Sequence, residues 1–126
     1  MLINCTNHPS DQWSDAQTNA ALENFGGVTD FPFPQIDPTV STDDLRELAT
    51  EYAEKIEALN GDAVMVAGEF TFLFLLVDKL LRDGVRVVCS CSKRLTTEQK
   101  RPDDSMEKIS VFVFERFRDY EHYRKE

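Results

Sequence analysis

The run Ala63-Val64-Met65-Val66-Ala67 is apolar at every position. A strand of that kind is covered on both faces, and crossover helices are what cover both faces of a sheet. The flanking segments supply such helices. Upstream, Leu45, Leu48, Ala49, Tyr52, Ala53, Ile56 and Leu59 form an apolar stripe at three- and four-residue steps. Ser41 or Thr42 can cap that helix, Asp43 and Asp44 suit the positive end of its dipole, and Asn60-Gly61 ends it. Downstream, Gly68-Glu69 breaks the strand, and residues 70–81 are apolar almost all round before Asp83-Gly84. A helix without a polar face needs cover on more than one side. In a chain of 126 residues, a second copy is one source of that cover.

The same alternation continues on either side. Leu2 to Thr6 reads as a first strand. Trp13, Ala16, Ala20 and Ala21 recur at helical spacing behind a Ser14/Gln17 capping box, and Gly26-Gly27 closes the helix. Val28 to Phe31 is a second strand stopped by Pro32 and Pro34, and a loop runs from Phe33 to Val40. Val85 to Cys91 is a fourth strand, and Lys108 to Phe117 a fifth. The polar stretch 93–107 lacks helical periodicity and reads as a loop. Phe112 and Phe114, with Ile109, Val111 and Val113 opposite, read as core. The order predicts one α/β domain over residues 1–126, a Rossmann-like three-layer sandwich of β-α-β-α-β-α-β-β order. Its five strands are mostly parallel; the last link holds no helix, so the last strand is antiparallel.

Hydrophobic content of 41% is ordinary for a globular protein. No apolar stretch is long enough to cross a bilayer, so no membrane partner is expected. No basic, apolar leader opens the chain, and the three cysteines sit in apolar runs. Both features lead to an expectation of a reducing, cytoplasmic setting. The net charge of −9 disfavours duplex nucleic acid. Its distribution is uneven: residues 1–78 hold 2 Lys+Arg against 14 Asp+Glu, and residues 79–126 hold 12 against 9. A local cationic pocket for a small anion is compatible with such a chain.

That topology gathers four polar turns at the carboxyl edge of the sheet, where open α/β sheets bind ligands. The first is Asn7-His8-Pro9-Ser10, at the start of a helix. Ser10, Ser14 and the Asn7 amide can seat a phosphate there, and His8 can exchange a proton near neutral pH. Alternatively, the serines only cap the helix. The second turn is Phe31-Pro32-Phe33-Pro34. In the third, Gly68 permits a close approach or a tight turn, Glu69 acts as a base or binds a ribose hydroxyl or merely caps, and Thr71 adds a hydroxyl. In the fourth, Ser90-Cys91-Ser92-Lys93-Arg94, the last three residues form an anion-binding cluster or a solvated hairpin shoulder. Cys89-Ser90-Cys91, with two histidines in the whole chain, makes a poor metal site; burial on one strand face accounts better for the cysteines. No dinucleotide glycine fingerprint, P-loop or cysteine-phosphatase arginine is present.

The layout, with the turns "NCTNHPS" after strand one and "CSCSKR" after strand four, resembles the small ring nucleases and related CARF-like proteins that accompany type III CRISPR systems. The resemblance implies a homodimer that binds a cyclic oligoadenylate, or another small phosphate-bearing ligand, across its two-fold axis. It implies no metal or cofactor: the ligand's own ribose 2′-hydroxyl attacks the adjacent phosphorus. In that scheme Lys93 and Arg94 stabilise the phosphate, Ser10, Ser92 and Asn7 orient it, and His8 or Glu69 assists proton transfer. These roles follow from chemistry and position rather than from matched catalytic residues. The alternatives are a nucleotide sensor without turnover, and an interaction protein that docks a partner through residues 70–81 and the tail 118–126.

Overall fold

The computed structural model describes residues 1–124, so the tail expected to dock a partner lies partly outside the described residues. Five strands form one sheet: β1 (Leu2–Cys5), β2 (Val28–Asp30), β3 (Ala63–Val66), β4 (Val87–Lys100) and β5 (Met106–Asp119). Their order is β2-β1-β3-β4-β5, with the first three pairings parallel and β4–β5 antiparallel. Three helices connect them: α1 (Asp15–Phe25), α2 (Thr42–Ala58) and α3 (Phe70–Arg82). This is the Rossmann-like α/β sandwich with an antiparallel last strand.

Handedness places the layers. The sheet grows from β1 to β2 in one direction and from β2 past β1 to β3 in the other. Right-handed crossovers therefore put α1 on one face and α2 and α3 on the opposite one. The core divides accordingly. Ile3, Cys5, Val64, Val66 and Val87 point toward α2 and α3, and Leu2, Ala63, Met65 and Val88 toward α1. Strand residues alternate between the two cores, as a pleated strand between two covers must. The face carrying α2 and α3 is called the rear face below, and the α1 face the front.

The helix ends follow their sequence signals. Ser14 Oγ accepts from Gln17 N, and Gly26 closes α1 at φ 77°. Ser41 Oγ accepts from Asp44 N, and Asn60 turns left-handed (φ 53°) after α2. On α3 the inward face is Phe72, Leu76, Val77 and Leu80. Phe72 is fully buried, and Phe33 and Tyr52 meet its ring edge-on at centroid distances of 5.3 and 5.5 Å. Burial of such a ring is worth about 1.5–3 kcal/mol, with a further ~0.5–1.5 kcal/mol per aromatic contact. That cluster ties down the proline-rich loop after β2. It also explains Gly68: a Cβ there would collide with the Phe33 ring. The glycine makes room for a core aromatic.

Two expectations fail at the carboxyl end. Residues 93–107 are not one loop; 93–100 lie in β4 and 106–107 in β5, joined by a turn over 101–105 in which Arg101 N bonds Ser105 O at 2.8 Å. β4 pairs with β3 only at Val87 and Val88, so from Cys89 to Lys100 its only strand neighbour is β5. The two strands leave the sheet as a ribbon. Within it Phe112, Val111 and Val113 are exposed and Ile109 and Phe114 half-buried, so this stripe is not core. A ribbon with no cover packed on its faces is not held to strict hydrophobic alternation, which is why the polar β4 half gave no strand signal.

Candidate functional site

The turn after β1 is built on a buried amide. Asn4 is 1% exposed, and its Nδ2 donates to His8 O at 2.9 Å and to Asp30 Oδ1 at 2.8 Å. Thr6 Oγ1 lies 2.8 Å from Asn4 Oδ1 and receives His8 N at 3.1 Å. Trp13 Nε1 donates to the same His8 carbonyl at 3.1 Å. Ser10 donates from N and from Oγ to Asp30, at 3.2 and 3.0 Å. This network satisfies the polar groups buried at the strand ends, as a low-dielectric interior requires. Ser10 thus serves the turn, while the side chains of Asn7 and His8 stay exposed at its tip.

The turn separates two clefts. The rear cleft, about 530 Å³, is lined by Asn7, residues 33–37 and Glu69. Glu69 caps α3: its carboxylate accepts from Phe72 N at 2.8 Å, Thr71 N at 3.0 Å and Thr71 Oγ1 at 2.7 Å. Those bonds, the Phe72 N–H first, hold its carboxyl below the ordinary range. Asp37, held low by Thr39, lines the same cleft. Two carboxylates and no cation make this a poor seat for phosphate. Glu69 and Thr71 are bonded to each other as the cap of α3, the capping alternative that the sequence left open for Glu69.

The front cleft is different in chemistry. It measures about 280 Å³, with Met65 from β3 and Ala67 just beyond it, and Ser90 and Ser92 along β4. His8, Gln12, Trp13, Ser14 and Gln17 come from the turn and α1, and Phe112 and Phe114 from β5. Hydroxyls, one imidazole and three aromatic rings therefore surround one space. Its volume falls just below the about 300–1,000 Å³ usual for ligand sites.

The structure separates Lys93 from Arg94. Register pairs Ser92 with Phe114 and Arg94 with Phe112, and directly opposed residues share a face. Arg94 therefore continues the front row above the cleft, where its Nη2 donates to Ser110 Oγ at 3.3 Å. Lys93 belongs to the rear row, with Nζ 4.0 Å from Glu115. The expected cation pair is one front guanidinium and one rear ammonium, because neighbours along a strand point oppositely.

Of the expected residues, His8, Ser14 and Ser92 line the front cleft, with Arg94 above it. Asn7 and Glu69 border the rear one; Ser10, Gly68 and Thr71 have structural partners. Trp13, Gln17, Ser90, Phe112 and Phe114 were not foreseen as lining residues. The hydroxyl–cation parity of Ser90, Ser92, Arg94 and Thr96 was the signal available for this face.

Cys89 and Cys91 lie on the rear side, Sγ to Sγ 4.0 Å. Cys5 is buried, and desolvation pushes its thiol up to about 12, so it is an inert core group. Among the described residues no three His, Cys, Asp or Glu side chains group as metal ligands, and no helix is long and apolar enough to cross a membrane.

No curated protein and no solved structure matches the chain. The model of the Uncharacterized protein MJ1673 family matches residues 1–118, from β1 through nearly all of β5 and so including turn, cleft and ribbon. The chain belongs to the uncharacterized protein MJ1673 family.

Proposed function

We propose that the front cleft binds one nucleotide unit, and that two copies together hold and cleave a cyclic oligoadenylate. One observation carries this reading. Phe112, 73% exposed, stands directly opposite Arg94 above a cleft that contains His8, Ser90 and Ser92. An exposed ring beside a guanidinium suits a base and its phosphate, since stacking and bidentate anion contacts are what each group offers. The cleft takes one nucleotide unit rather than a ring of several, so a ring would span two protomers.

The chemistry asks for little beyond positioning. A ribose 2′-oxygen attacks the adjacent phosphorus, the P–O5′ bond breaks, and a 2′,3′-cyclic phosphate and a 5′-hydroxyl result. The 2′-hydroxyl proton leaves to a base, and the departing 5′-oxygen gains one. His8 is the group at the cleft able to exchange both, and Arg94 offsets the charge growing on phosphorus. A sensor without turnover is the second reading. It is favoured by one fact: Glu69 is committed to its helix, which leaves His8 alone among the expected acid–base groups at the cleft.

Incubation with cyclic tri-, tetra- and hexa-adenylate followed by chromatography separates these outcomes. Linear products with a 2′,3′-cyclic phosphate are expected, and Arg94→Ala should slow them about 100-fold or more. Lys93→Ala should stay within about threefold, because Lys93 faces away from the cleft. Retention of intact ligand would establish the sensor, and no interaction with any ring would overturn both readings.

A further inference from the structure

The rear row of the ribbon begins with two thiols. Cys89 and Cys91 stand two residues apart on β4, so both side chains leave one face, and their sulfurs lie 4.0 Å apart. Each residue is half-buried, unlike the buried Cys5. The register sets Arg118 opposite Cys89 and Arg116 opposite Cys91, on the same row. Just beyond Cys91 the pairing slips by one residue, a bulge of the kind that re-aims side chains beside functional sites.

Thiols so placed can join each other or share an ion. A disulfide needs Cα atoms within about 4.4–6.8 Å and sulfurs at about 2.05 Å. Residues two apart on a strand are separated by about 6.4–6.8 Å, the far end of that range. Closing the bond would shorten a stretch of β4 that β5 pairs at every residue from Val88 to Cys91. An ion asks for less. Metal–thiolate bonds run about 2.3 Å, so one ion accepts sulfurs up to about 4.6 Å apart. The observed 4.0 Å already lies within that span.

We propose that Cys89 and Cys91 form a two-coordinate site for a soft monovalent cation of the Cu(I) class. The donor set selects the class. Structural zinc takes four ligands, and among the described residues no three His, Cys, Asp or Glu side chains group together. A soft monovalent ion with a filled d shell is satisfied by two thiolates, the ligands it prefers. Binding releases two thiol protons to solvent, and the resulting complex carries one negative charge. The two guanidiniums on the row offset that charge. Burial, then the Cys91 neighbour, raises the Cys89 thiol, and Arg118 opposes both. The site lies on the opposite face from the nucleotide cleft and does not depend on that reading.

Anaerobic titration of the reduced full chain with Cu(I) held by the chromophore bicinchoninate reads the site directly. One ion per chain should pass to the protein, X-ray absorption should show two sulfur neighbours, and excess Zn²⁺ should not displace the ion. Cys89→Ser and Cys91→Ser should each lower the affinity by more than the about 10–100-fold that outer-shell changes cost, while Cys5→Ala keeps the stoichiometry. On the unaltered chain, Cu(I) should slow iodoacetamide labelling of Cys89 and Cys91 together, read by peptide mass spectrometry. The proposal is overturned by Cu(I) that stays with the chelator, by binding that survives the double serine variant, by displacement with Zn²⁺, or by three or more sulfur neighbours. If the serine variants fail to fold, labelling rates unchanged by Cu(I) overturn it.

Discussion

Asn4 is a polar side chain at the centre of a hydrophobic sheet, and its hydrogen bonds explain why. One amide group ties together the end of β1, the end of β2 and the tip of the following turn. Removal takes one donor from the exposed Asp30 carboxylate and one from the His8 carbonyl, and empties the buried site that the amide fills. Asn4→Ala is therefore expected to cost about 1–3 kcal/mol, read as a lower denaturant midpoint at unchanged slope. It should also lower ring cleavage, since His8 is carried on the loosened turn. The residue was legible as part of the strand but not as its polar keystone. Its partner Asp30 lies far along the chain, and only the parallel register Asn4–Asp30 brings the two together.

At the scale of elements, the helices were the most legible parts. Apolar stripes, Ser14 and Ser41 caps and the Gly26 stop are local signals, and each element ends within a residue or two of its signal. The start of α3 has a measurable consequence. The bonds from Phe72 N and Thr71 that stabilise the Glu69 carboxylate depress its pKa in the folded state. A depressed carboxyl contributes stability above its unfolded pKa, and the contribution fades as pH falls through the folded value. The stability gap between the unaltered chain and Glu69→Ala should be full at neutral pH and close as the solution becomes more acidic than the ordinary carboxylate range. Denaturant titrations at several pH values check the sign. The ribbon was the illegible element. Its β4 half is polar, and its β5 half looks like core because the faces it would bury are not covered within one chain.

Over the whole molecule, topology was readable because alternating strands and crossover helices admit few arrangements, and the helix-free last link forced the antiparallel pair. The site was readable only as an edge. Three of the turns lie toward one end of the sheet and the fourth stretch, around Ser92 to Arg94, is β4 continuing past that end; the turn after β1 divides it into a polar aromatic cleft in front and an acidic one behind. No local pattern separates Lys93 from Arg94 until the stretch is known to be a strand. On the proposed reading the ligand sits on the α1 side, in the cleft with His8, Ser92 and Phe112, and not in the acidic cleft behind. The most direct test of that division is photocrosslinking with an 8-azidoadenosine-bearing cyclic oligoadenylate, followed by peptide mass spectrometry. Adducts are expected on the peptides containing Trp13 and Phe112–Phe114. Adducts confined to residues 33–37 and 69–74, or none above a background set by excess unlabelled ring, would contradict the account.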